Sequence, residues 1–64
     1  MASIRKDVIE YFRLVRDKGL LPYMDRWRMM DDLRKVGVDI NKSFWVKKEM
    51  LMNIYQAVID SLVD

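Results

Sequence analysis

The sequence predicts an all-α fold, a small three-helix domain with a helix-loop-helix core that occupies residues 1–64 as one domain. Two observations predict it. Apolar residues recur at intervals of three and four in three separate segments, which is the spacing of helices with one apolar face. Glycine commonly follows the last turn of a helix, and the only two glycines, Gly19 and Gly37, stand between these segments.

The first helix is predicted at about residues 3–18. Ser3 is a suitable N-cap, and Asp7 in the opening turns favours the positive end of the helix. Gly19 follows Lys18 at the predicted end. One face of this helix is apolar and carries Ile4, Val8, Tyr11, Phe12 and Val15.

The second helix is predicted at about residues 22–36. Pro22 suits the first position of a helix, and Gly37 suits the position just past its end. Asp31 and Lys35 stand four residues apart, in the favourable order for an ion pair along the helix. One apolar edge carries Met29, Leu33 and Val36, and a neighbouring edge carries Tyr23, Trp27 and Met30.

The third helix is predicted at about residues 43–62, with Ser43 as N-cap, after a loop whose Val38 and Ile40 reach the core. Its main apolar stripe carries Phe44, Leu51, Ile54, Tyr55, Val58 and Leu62. A second apolar stripe carries Trp45, Met52, Ile59 and Val63, of which the first three repeat every seven residues, as in a coiled-coil seam.

Two apolar stripes are more than a surface helix needs within its own chain. The third helix is therefore expected to form a homodimer interface through Trp45, Met52, Ile59 and Val63. In the alternative interpretation, the loop and the N-terminus cover the second stripe and complete an ordinary core.

The second helix offers a candidate contact surface for another protein at Tyr23, Arg26, Trp27 and Met30. Arg26 falls inside the apolar arc of the helix. It therefore needs a carboxylate or carbonyl partner, or a path along which its charged end reaches water. A purely structural role for these residues is the alternative.

Nucleic acid is the alternative partner, because positive charge is concentrated before residue 49. The first helix carries a basic strip of Arg5, Lys6, Arg13 and Arg16, and the predicted start of the third helix carries Lys42, Lys47 and Lys48. A dimeric helix-turn-helix regulator would use that start to read DNA. The long connection after Gly37 and the mostly apolar third helix count against this motif, and a solvated charged face explains the strip equally well.

The residue inventory argues against catalysis. The chain has no histidine and no cysteine, and its two glycines cannot form a glycine-rich phosphate loop. We expect no cofactor, no metal site and no membrane association, and a cytoplasmic location because the N-terminus lacks the apolar core of a signal peptide. The predicted function is a non-enzymatic interaction module that acts as a regulator, inhibitor or assembly factor.

Overall fold

Three α-helices follow one another in the computed structural model, which describes residues 4–41 and 45–63. They are α1 (Lys6–Asp17), α2 (Arg26–Arg34) and α3 (Lys48–Leu62), and a short 3₁₀ helix, η1 (Leu21–Tyr23), precedes α2. No β-strand occurs in either of these ranges. The prediction of an all-α, three-helix fold is confirmed.

Both glycines lie where the sequence predicts, just past a helix end. Gly19 has φ +61° and Gly37 has φ +84°. After α1, the Leu20 amide donates to the Val15 carbonyl and the Gly19 amide to the Arg16 carbonyl. The equivalent pair after α2 runs from Val38 to Leu33 and from Gly37 to Arg34. Each end is thus a Schellman motif, in which a left-handed residue satisfies the last free carbonyls of the helix.

The start of the second helix differs from the prediction. Pro22 lies in η1, and the chain becomes extended at Met24 (ψ 141°) before α2 begins at Arg26. Asp25 is the N-cap, and its carboxylate accepts a hydrogen bond of 2.7 Å from the Arg28 amide. An Asp cap satisfies an otherwise unpaired amide of the first turn, which explains why the helix begins there.

The other two helices also begin later than predicted. Arg5 occupies the N-cap position of α1 and Lys47 that of α3, both in extended conformation and without a side-chain cap. The predicted caps, Ser3 and Ser43, lie outside the described residues, as does Phe44. Residues 45–47 precede α3 and are not helical.

The helices α2 and α3 run parallel to each other. Arg26, at the start of α2, contacts the Val46 carbonyl just before α3, and Asp32 further along α2 contacts Tyr55 further along α3. Ile4, just before α1, lines a groove together with Leu62 at the end of α3, so α1 runs in the opposite direction.

The core lies between α3 and the other two helices. On α3 the buried positions are Leu51, Tyr55 and Ile59, and Val63 follows at the same four-residue spacing. Leu51 and Tyr55 of this row come from the predicted main stripe, and Ile59 and Val63 come from the second stripe. The Phe12 ring packs on the Tyr55 ring at 5.0 Å between centroids. The remaining buried apolar residues are Val15, Leu21, Met29, Met30 and Leu33.

A buried carboxylate joins all three helices. Asp32 on α2 is 1% exposed, and its Oδ2 accepts hydrogen bonds from the Tyr11 hydroxyl of α1 (2.6 Å) and the Tyr55 hydroxyl of α3 (3.0 Å). Lys35 Nζ lies 3.5 Å from Oδ1, so the lysine pairs with Asp32 and not with the predicted Asp31. Arg28 donates to the Tyr11 hydroxyl at 2.9 and 3.1 Å.

The network fixes the protonation of its two tyrosines. Burial raises the pKa of Tyr11, and its hydrogen bond to Asp32 raises it further. Burial and the neighbouring Asp32 charge also raise the pKa of Tyr55. Both hydroxyls therefore stay protonated as donors to the carboxylate, as a buried acceptor requires.

Candidate functional site

Three large aromatic side chains are exposed around the starts of α2 and α3. Trp45 is 77% exposed, Trp27 is 58% exposed and Tyr23 is 86% exposed. Together with the half-buried Arg26 they form what we call the aromatic surface. Trp, Tyr and Arg are the residue types most enriched among the energetically dominant residues of protein interfaces.

Contacts between elements hold the aromatic surface in place. The guanidinium carbon of Arg26 lies 3.3 Å from the Trp45 ring centroid, and its Nη1 lies 3.4 Å from the Val46 carbonyl oxygen. Lys48 Nζ donates a hydrogen bond of 2.7 Å to the carbonyl of Pro22, the residue before Tyr23. The segment before α2 is thereby tied to the segment before α3, and the aromatic side chains are presented from a fixed framework.

The end of the molecule that carries the aromatic surface is electropositive. Residues 21–28 and 45–50 contain four cations, Arg26, Arg28, Lys47 and Lys48, against the two acids Asp25 and Glu49. Because α2 and α3 are parallel and α1 runs in the opposite direction, the positive ends of two helix dipoles and the negative end of the third lie here. The surface therefore combines aromatic area with a positive potential.

Some residues predicted for the dimer interface are buried in the structure, and others are exposed. Ile59 and Val63 are buried in the core of the single chain, and Met52 is half-buried and packs against that core. The predicted seam of Trp45, Met52, Ile59 and Val63 therefore does not form a continuous exposed stripe on the single chain. It assumed a helix that starts near residue 43, but α3 begins at Lys48, so Trp45 is not in register with the rest.

The residues predicted to contact another protein also differ in their exposure. Met30 is buried in the core and is unavailable to a partner. Tyr23 and Trp27 are exposed. Arg26 contacts a carbonyl, one of the partners that the sequence predicts for it, and also stacks on an aromatic ring, which the sequence does not predict. Trp45, assigned to the other predicted interface, joins these three.

The basic strip on α1 is locally compensated. Arg5 pairs with Asp7 at 3.1 Å, Arg16 pairs with Asp17 at 2.9 Å, and Arg13 pairs with Glu10. Lys6 is exposed beside them. Because every arginine of the strip has an acidic neighbour, these contacts favour the solvated face over a phosphate-binding surface.

The segment that carries the cations at the start of α3 does not have the arrangement of a helix-turn-helix motif. Lys47 and Lys48 are exposed, whereas Lys42 lies outside the described residues. Thirteen residues of the sequence separate the end of α2 at Arg34 from the start of α3 at Lys48, whereas the motif uses a turn of three or four residues. The geometry of the described residues therefore does not resemble that motif.

A separate apolar groove of about 380 Å³ lies near the other end of α3. Val36 and Val38, which follow α2, form part of its lining, and Ile4 forms another part. The α3 side of the groove carries Ile54, Ala57, Val58, Ser61 and Leu62. Three of these, Ile54, Val58 and Leu62, belong to the predicted main stripe of the third helix, so that stripe is only partly used by the core.

Sequence reasoning missed the role of Asp32. The signal was present, since Asp32 lies three residues after Met29 and four before Val36 and therefore falls on the apolar side of α2. A charge at that position predicts partners from other helices, because a buried carboxylate needs several donors.

In comparisons with known proteins, no family model matches this chain, and neither does any curated protein or solved structure. Among residues 4–41 and 45–63, no helix has both the length and the apolar character needed to cross a bilayer.

Proposed function

We propose that the protein is a non-enzymatic helical interaction module that binds another protein through the aromatic surface. The observation that carries the proposal is the exposure of Trp27 and Trp45, both tryptophans of the chain, on a surface fixed by Arg26 and Lys48. Neither ring is needed to fill the core, which Phe12 and Tyr55 already occupy.

The energetics support this assignment. Each large aromatic side chain buries about 150–250 Å² when it is covered. A surface that is already ordered loses less conformational entropy on binding, so more of the contact energy appears as affinity. Truncation of a single central tryptophan commonly costs about 2 kcal/mol or more, which corresponds to roughly a 30-fold loss of affinity.

Comparative capture tests the proposal. The wild-type chain is immobilised beside Trp45→Ala and beside Leu14→Ala, which removes an exposed apolar side chain that does not belong to the aromatic surface. We expect a protein that is retained by the wild type and by Leu14→Ala but is lost from Trp45→Ala, and its purified form should show the same order of affinity. Equal retention by all three chains would contradict the proposal.

Single-stranded nucleic acid is the second candidate ligand. The specific observation is that the exposed Trp45 ring lies two residues before Lys47, and stacking platforms flanked by cations bind such strands without sequence preference. A labelled oligothymidylate at low salt tests it, since this mode requires binding that weakens steeply as salt is added.

Self-association is a further proposal, and the apolar groove is the observation that favours it. A chain of 64 residues with no cysteine buries a small core, and small domains commonly gain stability by oligomerisation. The groove lies on α3, the helix predicted to self-associate, and a symmetric dimer would place two such grooves face to face. This proposal uses the Ile54, Val58 and Leu62 side of α3 in place of the predicted seam.

A further inference from the structure

Arg26 differs from most arginines of the described chain in its partners. Arg5, Arg13, Arg16 and Arg28 each lie within ion-pair distance of a carboxylate. Arg26 has no such carboxylate among the residues that the structure describes, although it is half-buried. A partly desolvated guanidinium without an acid is an uncompensated charge, and it is favourable to compensate it.

The contacts that Arg26 does make leave most of its donors unused. The ring stack on Trp45 engages the flat face of the guanidinium and consumes no N–H group. The Val46 carbonyl takes one of the five N–H donors, at a long 3.4 Å. The remaining donors lie in the guanidinium plane, which is the geometry that accepts a carboxylate through two parallel hydrogen bonds.

We infer that Arg26 is the receptor for a carboxylate of an acidic protein segment. This inference rests on the proposed function and specifies the chemical class of the partner. The Arg26 guanidinium binds a Glu or Asp side chain of the partner segment. The apolar side chains next to that acidic residue in the partner cover Trp45 and Trp27. The exposed Lys47 lies near the same ring in sequence and adds positive charge that favours an acidic partner.

The chemistry of the surface favours a carboxylate over a phosphate strand. Arg26 supplies one fork, whereas a strand presents a row of phosphates that needs several cations in line. The nearby arginine Arg28 is engaged with the Tyr11 hydroxyl, and Lys48 is engaged with the Pro22 carbonyl. One planar receptor stacked on an exposed indole fits a side chain better than a backbone of repeating charges.

The test uses the full chain and a short peptide of repeated Glu-Leu-Gly units, with a matched peptide that has Gln in place of Glu. Isothermal titration at low salt is expected to show binding of the Glu peptide, with the Gln peptide at least about tenfold weaker. Arg26→Lys keeps the positive charge but loses the fork, and it should weaken the Glu peptide by a similar factor. Arg34→Lys, an exchange at an exposed position at the end of α2, is the control and should leave the affinity unchanged.

The outcomes separate this inference from the proposed function. If Arg26→Lys binds the Glu peptide as tightly as the wild type does, or if the wild type binds the Gln peptide as tightly as the Glu peptide, Arg26 is not a carboxylate receptor. The proposed interaction module still stands in that case, provided that capture depends on Trp45. If the Glu peptide does not bind while capture depends on Trp45, the acidic class of partner is overturned. Tighter binding of oligothymidylate than of the Glu peptide overturns both in favour of nucleic acid.

Discussion

The Tyr11 hydroxyl of α1 donates a 2.6 Å hydrogen bond to the Asp32 carboxylate of α2, and the same oxygen accepts a second bond from Tyr55 of α3. One buried atom thus specifies how three helices meet. Apolar packing tolerates small shifts of one helix along another, but hydrogen bonds between defined atoms do not. The relative positions of the helices, and with them the aromatic surface, depend on this junction.

Replacement of the buried acid is expected to destabilise the fold. Asp32→Asn keeps the size of the side chain but removes the charge that two hydroxyls and Lys35 face. We expect the free energy of unfolding to fall by about 1–3 kcal/mol, the cost of weakening buried hydrogen bonds to a charged group. Urea unfolding followed by circular dichroism measures it.

The neighbouring acid provides the matched control. Asp31 is exposed on the same helix, and Asp31→Asn should change the free energy of unfolding by less than about 0.5 kcal/mol. Equal effects of the two exchanges would mean that the junction contributes nothing specific to stability.

Stability is expected to decrease in alkaline solution. The pKa values of Tyr11 and Tyr55 are raised in the folded protein, mainly by burial, above the value of about 10 in the unfolded chain. Below about pH 10 both states hold these protons and the contribution of the network is fully present. Above it the unfolded chain loses protons that the folded chain retains, so the free energy of unfolding falls as pH rises.

The pH series needs a reference, because lysines titrate in the same range. Unfolding by urea at several pH values between about 8 and about 11 is compared with Tyr55→Phe, in which one of the two shifted groups is absent. The lysine contribution is common to both chains and cancels. We expect a shallower decrease in Tyr55→Phe, and parallel curves would show that Tyr55 does not contribute.

Truncation of Trp45 is expected to leave the fold nearly intact. Its ring is mostly exposed and stacks on the Arg26 guanidinium, a contact worth about 0.5–1 kcal/mol at an exposed site. Phe12→Ala, by contrast, empties a fully buried position and should cost about 3–5 kcal/mol. Thermal unfolding compares the two. A large loss of stability in Trp45→Ala would show that Trp45 is needed for the fold, which would contradict its assignment to partner binding.

Charge in the apolar groove is expected to prevent self-association. Ala57 is exposed and lines the groove, so Ala57→Glu would place a carboxylate between two apposed copies without disturbing the core. Sedimentation should show a wild-type dimer and an Ala57→Glu monomer. Asn53→Glu adds the same charge at an exposed position of α3 outside the groove and should dimerise normally. A wild type that remains monomeric at high micromolar concentration rules out the dimer.

The order of the helices and their C-terminal ends could be predicted from the sequence. Gly19 and Gly37 mark both ends because a left-handed residue is required there, and this requirement is local. The apolar intervals predicted the buried Phe12, Val15, Met29 and Leu33 for the same reason. Such features depend only on residues within one or two turns of each other.

Features that depend on another helix could not be predicted in the same way. The buried row of α3 takes two residues from each of two comparably apolar stripes, and only contact with α1 and α2 decides which residues face inward. The start of α2 at Arg26, after the Asp25 N-cap, competes with a start at Pro22, because an N-cap Asp and a first-turn Pro are both signals for the beginning of a helix. Trp45 was assigned to a helix that begins after it, and its contact with Arg26 arises from the parallel arrangement of α2 and α3.

Gly19 and Gly37 have open space around them, and this affects which amino acids the backbone would accept at the two positions. No atom outside the immediate backbone lies within 4 Å of the position that a Cβ would take at either glycine. Only the positive φ opposes an L-alanine there, at a cost of roughly 1–2 kcal/mol. A D-alanine adopts that φ without strain and restricts the unfolded chain, which gains about 0.4–1 kcal/mol of stability at a compatible site. At these two points the backbone has the φ that a mirror-image amino acid prefers, so each helix ends in a conformation of the opposite hand to the helix itself.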